Sequence, residues 1–166
     1  DAYERLNKPN KSYQGDCAIF YDRGGETRAT TLKISDKAAG MDAEKLHSVL
    51  KRHGDKIKSE GASRGFFARG LLDVSSIADV FIQTVKDKKI TTGQIKYQTF
   101  QYKIVDRDVP INKMNQTIAK GIDGFDFHKS KKLKNGTDII LKIPSNSEIN
   151  IPQIKTLINN LNKQNQ

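Results

Sequence analysis

Two β-prone runs, CAIFYD at 17–22 and ETRATTLKIS at 26–35, are separated only by Arg23-Gly24-Gly25. Glycines accept positive φ, so this spacing predicts an antiparallel hairpin. That hairpin ends on one acid, Asp36, which leads into the small-residue turn Lys37-Ala38-Ala39-Gly40-Met41. Asp42 then stands where it can cap a helix carrying Leu46, Val49 and Leu50 at helical spacing. A strand that delivers a lone carboxylate into a turn of small residues needs a reason, and the rest of the chain supplies one.

Gly54 and the polar stretch to Arg64 read as a mobile loop. RGFFARGLLDVSSIA packs glycines against the start of an apolar helix, and VFIQTV follows as a strand. Further strands are expected in IKYQTFQYKIV and in TDIILKI, where Thr137, Ile139, Leu141 and Ile143 share one face. Residues 106–135 have weak periodicity and end in the basic run HKSKKLK. Asn150 and Pro152 announce a final helix with Ile154, Leu157, Ile158 and Leu161 on one stripe, followed by a polar tail. Helices and strands without regular βαβ alternation favour an α+β sandwich over a doubly wound sheet. The expected division is one main domain over 1–145 and a C-terminal helix and tail over 146–166.

The 166 residues suffice for one core, and the formal charge of +10 permits binding to phosphate, DNA or RNA without choosing among them. Aromatic residues are few, Trp is absent, and none is interleaved with HKSKKLK, so base stacking has little support. The single cysteine, Cys17, excludes an internal disulfide and a cysteine-based metal site, and fits a cytoplasmic setting. No apolar run approaches the roughly 18 residues of a membrane span, and no leader is evident, so no membrane partner is expected. His47, His53 and His128 stand singly on polar segments and read as surface residues. The opening DAYERLNK reads as the end of a helix, as in a fragment of a longer protein.

Three small-residue turns occur in order: SDKAAGM at 35–41, GASRGFFARG at 61–70 and KNGTDI at 134–139. Together they resemble the GHKL superfamily of ATPases, which includes heat-shock chaperones, gyrase-type topoisomerases, MutL proteins, sensor histidine kinases and Microrchidia proteins. Asp36 to Gly40, followed by Met41, resembles the DxGxG motif. Gly65, Phe66, Phe67, Ala68, Arg69 and Gly70 resemble the GxxGxG box, and Gly136-Thr137 the late Gly-Thr pair. Asp1-Ala2 is similar to the tail of the N-box helix. The phrase SRGFFARGLLDV is most like the Microrchidia and chaperone-type branch.

The resemblance implies a two-layer α/β sandwich, the Bergerat fold, with a mostly antiparallel sheet, helices on one face and a flexible ATP lid over about 46–64. It implies ATP and Mg²⁺ as cofactors, ATP hydrolysis in the complete protein, lid closure, and ATP-dependent pairing into a homodimer. It places Asp1, Ala2, Arg5, Leu50 and Leu71 at the nucleotide, with Lys56 and Lys58 of the lid adding charge. The chemistry agrees with these roles. An ionised carboxylate is acceptor-only, so Asp36 suits the exocyclic amine of adenine and not the carbonyl of guanine. Met41 offers a soft apolar wall, and the Thr137 hydroxyl can donate to the carboxylate or hold a water. Amides opening the helix at 65–70 form an anion site for the phosphates. Ala38 and Ala68 replace family glycines, at about 1–2 kcal/mol each if positive φ is required there. The family's general-base Glu and Mg²⁺-binding Asn would precede Asp1, so no catalytic or metal-binding residue is expected in these 166 residues. Two other readings are a basic nucleic-acid-binding domain and a degenerate GHKL fold that binds partners without turnover.

Overall fold

The computed structural model describes residues 17–22, 28–51, 71, 73–99, 101–113 and 132–145. Within them lie strands β1 (Cys17–Asp22), β2 (Thr30–Asp36), β3 (Asp79–Lys86), β4 (Lys89–Ile95), β5 (Tyr102–Ile104), β6 (Val109–Pro110) and β7 (Gly136–Ile143), with one α-helix, α1 (Ala43–Lys51). A 3-10 turn covers Ile111–Lys113, and residues 73–75 are helical. The strands form one sheet in the order β1-β2-β7-β3-β4-β5, with β6 also on β4. Every pairing is antiparallel. The β1–β2 hairpin pairs Cys17 with Asp36 and Asp22 with Thr31. β1 ends at Asp22 and β2 begins at Thr30, and the expected turn Arg23-Gly24-Gly25 lies outside the described residues.

Burial follows the period of the strands. On one face Leu46 and Leu50 of α1 meet Leu71, Ala78, Val80, Ile82, Ile95, Leu141 and Ile143 in a single cluster. Helical spacing puts Leu46 and Leu50 on one side of the nine-residue helix, and both are fully buried. Two-residue alternation sends Phe81, Val85, Ile90 and Ile140 to the opposite face, where Val105, Val109 and Ile111 pack over them. His47 is half-buried, its ring tilted against Tyr102 at 6.1 Å.

The expected two-layer α/β sandwich of Bergerat type is therefore corrected. The described residues form a seven-stranded antiparallel sheet with one nine-residue α-helix, a 3-10 turn and the helical residues 73–75, and these make no layer of helices over one face. The physical reason lies in β3 and β4, whose inner residues are buried on both sides. Beyond β4 the sheet continues as an interrupted edge strand, from which Val105, Val109 and Ile111 pack against the second face. β5 and β6 are its halves, and between them Thr91 and Thr92 bond to Asp108 and Asp106 through both side chain and main chain.

The run IKYQTFQYKIV, expected as one strand, is divided. β4 ends at Ile95, a turn with Gln98 at φ 59° follows, and β5 begins at Tyr102. Lys96 N–H donates to the Gln101 carbonyl at 2.8 Å across that turn. Of the expected lid, residues 46–51 belong to α1, and 52–64 lie outside the described residues, as does the helix expected over 150–161.

The β3–β4 hairpin turns on Asp87 and Lys88, both left-handed at φ 50° and 60°, without a glycine. A left-handed L-residue costs about 1–2 kcal/mol, and glycine returns part of that through the entropy of its unfolded chain. Lys88→Gly is thus expected to stabilise the protein by about 0.5–1 kcal/mol. Urea unfolding with an unchanged slope checks it, and a loss of stability would contradict it.

Candidate functional site

Asp36 ends β2, half-buried, where three strands converge. Its Oδ1 accepts from Ala38 N–H at 2.8 Å, closing the turn on itself, and from Thr137 N–H at 3.1 Å, at the start of β7. Two amides on one oxygen fix the carboxylate's orientation. Among the described residues none donates to its Oδ2.

The turn after Asp36 is held from below by Thr84 of β3. Its buried Oγ1 accepts from Met41 N–H at 2.7 Å and lies 3.3 Å from the Gly136 carbonyl and 3.1 Å from Thr137 Oγ1. Gly40 has φ +71°, and a Cβ there would fall 1.9 Å from the Val85 carbonyl oxygen. Gly136 has φ +128°, and its Cβ would fall 2.1 Å from the Asp36 carbonyl oxygen. No side chain fits at either place. Ala38, by contrast, is buried without positive φ, so the strain considered for it does not arise.

Behind Asp36, on the sheet face away from α1, Asp138 gathers donors. Ser35 Oγ donates to Oδ1 at 2.6 Å and Lys132 Nζ at 2.8 Å, while Lys33 Nζ at 2.8 Å and Gln83 Nε2 at 3.2 Å serve Oδ2. Burial pushes the Asp138 carboxyl up, but the bonds from Lys132, Lys33 and Ser35 more than offset it and hold it below 3.8. Lys132 also donates to the Asp36 carbonyl at 2.7 Å and to Ser35 Oγ at 3.3 Å. At 8% exposure this lysine of HKSKKLK is part of the interior and not of a phosphate-binding surface.

A cavity of about 450 Å³ opens beside the turn, lined by Ala39, Gly40, Asp42, Glu44, Lys45, Ser48 and Lys86. Asp42 caps α1 by accepting from Lys45 N–H at 2.8 Å. The bond from Lys86 Nζ, at 2.6 Å, and then that amide hold its carboxyl low. The Lys86 charge in this cavity is thus already matched by acid. Among the described residues no group of three His, Cys, Asp or Glu gathers to hold a metal ion. No described helix is long and apolar enough to cross a membrane.

Of the residues expected at the nucleotide, the structure brings together Asp36, Gly40, Met41 and Thr137. Leu50 and Leu71 are side chains of the main core. Asp1, Ala2, Arg5, Lys56, Lys58, Gly65, Phe66, Phe67, Ala68, Arg69 and Gly70 lie outside the described residues. Thr137 reaches Asp36 through its main-chain N–H, while its hydroxyl turns to Thr84. The sequence reading missed Thr84, Lys132 and Asp138. A polar residue within VFIQTV was the one available sign of Thr84, whereas the reach of Lys132 to Asp36 spans 96 residues and left none. No family model matches the chain, and no curated protein matches it.

Thr84→Val removes the acceptor of Met41 N–H and is expected to cost about 1–3 kcal/mol in urea unfolding. The low Asp138 carboxyl contributes stability that is fully present above its unfolded value of 3.8 and lost as pH falls through its lower folded value. Asp138→Asn is therefore expected to flatten the fall in stability below pH 3.8. Acid titrations of stability that overlay for the two proteins would refute this.

Proposed function

We propose that residues 36–41 and Thr137 form the adenine-recognising end of a GHKL-type nucleotide site, and that this chain is an ATP-binding module. The supporting observation is the Asp36 carboxylate, which has one oxygen fixed by two main-chain amides and the other without a described donor. An acceptor held this way suits the exocyclic amine of adenine. Guanine would set its own carbonyl against the carboxylate and leave both acceptors unpaired, a mismatch that costs orders of magnitude in affinity. Gly40 keeps the turn bare of side chains, and Met41, half-buried at the rim of the core, offers a polarisable surface to the ring.

In the GHKL pattern the hydrolytic Glu and the Mg²⁺-binding Asn precede the Asp1-Ala2 pair. Turnover to ADP and phosphate is accordingly proposed for a protein that carries that segment, where Mg²⁺ would neutralise charge on the phosphates. Conformational switching driven by this cycle, in the cytoplasm, completes the reading.

The test is equilibrium binding of labelled ATP and GTP to the full-length protein and to Asp36→Asn. Asparagine keeps an Oδ1 for the Ala38 and Thr137 amides, so the turn persists, but it presents an amide donor in place of Oδ2. ATP affinity is expected to fall about tenfold to a hundredfold, as the loss of one charge-assisted hydrogen bond predicts, while GTP affinity holds or rises. ATP affinity unchanged in Asp36→Asn would overturn the proposal.

A further inference from the structure

The site contains an exchange of hydrogen-bond partners at the end of a ladder. β2 and β7 pair from Thr30↔Ile143 to Ser35↔Asp138. One more antiparallel step would set Thr137 opposite Asp36 and deliver the Thr137 N–H to the Asp36 main-chain oxygen. That bond is not the one observed. The Thr137 N–H goes to the Asp36 carboxylate, and the Asp36 main-chain oxygen takes the Lys132 ammonium at 2.7 Å. The two acceptors of one residue have exchanged donors, and Lys132 supplies the second donor the exchange requires.

Lys132 is well placed to hold that state. An ammonium has three N–H groups, and here they meet three acceptors: the Asp36 carbonyl, Asp138 Oδ1 and Ser35 Oγ. Its own N–H donates to Gln83 Oε1 at 3.3 Å, which ties its backbone to β3. Its Cε would be only 3.0 Å from a Cβ on Gly136, so the side chain passes directly over that glycine to the Asp36 carbonyl.

We propose that Lys132 is a positioning residue of the adenine site: by occupying the Asp36 carbonyl it frees the Thr137 N–H to fix the Asp36 carboxylate. This rests on the adenine-binding reading above. Without the ammonium, the Thr137 N–H returns to the main-chain oxygen, the ladder extends by one residue, and the carboxylate loses one of its two anchors. Lys132 touches no nucleotide and acts only through Asp36.

A double-mutant cycle on the full-length protein tests it, with ATP affinity as readout and melting temperature recorded beside it. Lys132→Met is expected to weaken ATP binding about tenfold, the scale of one charge-assisted bond. In the Asp36→Asn background the same change should move ATP affinity less than about twofold, because the oriented acceptor is already gone. Equal factors in both backgrounds would show a general loss of structure and overturn the positioning role. ATP affinity unchanged in Lys132→Met, with Asp36→Asn still impaired, would overturn it too and leave the adenine site standing. A wild-type protein that does not bind ATP would overturn both. If Lys132→Met alone fails to fold because Asp138 loses a partner, Lys132→Met with Asp138→Asn, read against Asp138→Asn alone, gives the same comparison.

Discussion

The end of β2 depends on one hydrogen bond that leaves the ladder. Thr137 N–H donates to a side chain where a continuing sheet would direct it to main chain. From that bond follow the stop of the β2–β7 ladder at Ser35 and the need for Gly136, since the Asp36 carbonyl lies where a Cβ would be. Gly40 answers the same crowding from the β3 side, against the Val85 carbonyl. Two glycines, one threonine hydroxyl and one lysine thus close around a single acid.

The core gives this arrangement its rigidity. β7 and β3 lie at the centre of the sheet and are buried on both faces, so residues that begin or flank them move only with the whole sheet. Leu141, Ile143, Val80 and Ile82 anchor one face to α1, and Phe81 and Ile140 anchor the other. α1 is fixed twice at its first turn, by Asp42 and by Asp108, whose Oδ1 accepts from Ala43 N–H at 3.0 Å. The chain between Asp36 and α1 is therefore short, tethered at both ends, and bonded to Thr84 through Met41 just before the helix.

Much of this was legible in the residues, for local reasons. The β1–β2 hairpin, the stop at Asp36, the Asp42 cap and the shared face of Thr137, Ile139, Leu141 and Ile143 all follow from periodicity and turn chemistry within a few positions. The hairpin at Asp87-Lys88 was not legible, because its left-handed residues carry no glycine, and β4, rich in threonine, lacks the apolar alternation of a strand. The single strand expected over 95–105 has the opposite cause: alternation runs on through the turn between Ile95 and Tyr102, which also lacks glycine. The helix layer was misjudged because strand periodicity does not say what packs on the second face, where the described contacts come from Val105, Val109 and Ile111. Proximity of Asp36 to Thr137 came only through resemblance, and the polar network behind them depends on register between distant strands.

That network also explains why a buried lysine is tolerated where an apolar residue would serve packing equally well. A buried ion pair seldom adds stability over hydrophobic replacement, since desolvation offsets most of the attraction. What Lys132 and Asp138 add is registry: the ammonium reaches Asp36, Ser35 and Asp138 together only when Ser35 stands opposite Asp138. A slip of one residue would turn Asp138 to the apolar face and leave Lys132 without its carboxylate. The charge pair and the candidate site therefore share one alignment of β2 on β7, with the charges on the face away from α1 and the turn joined to Thr84 on the face toward it.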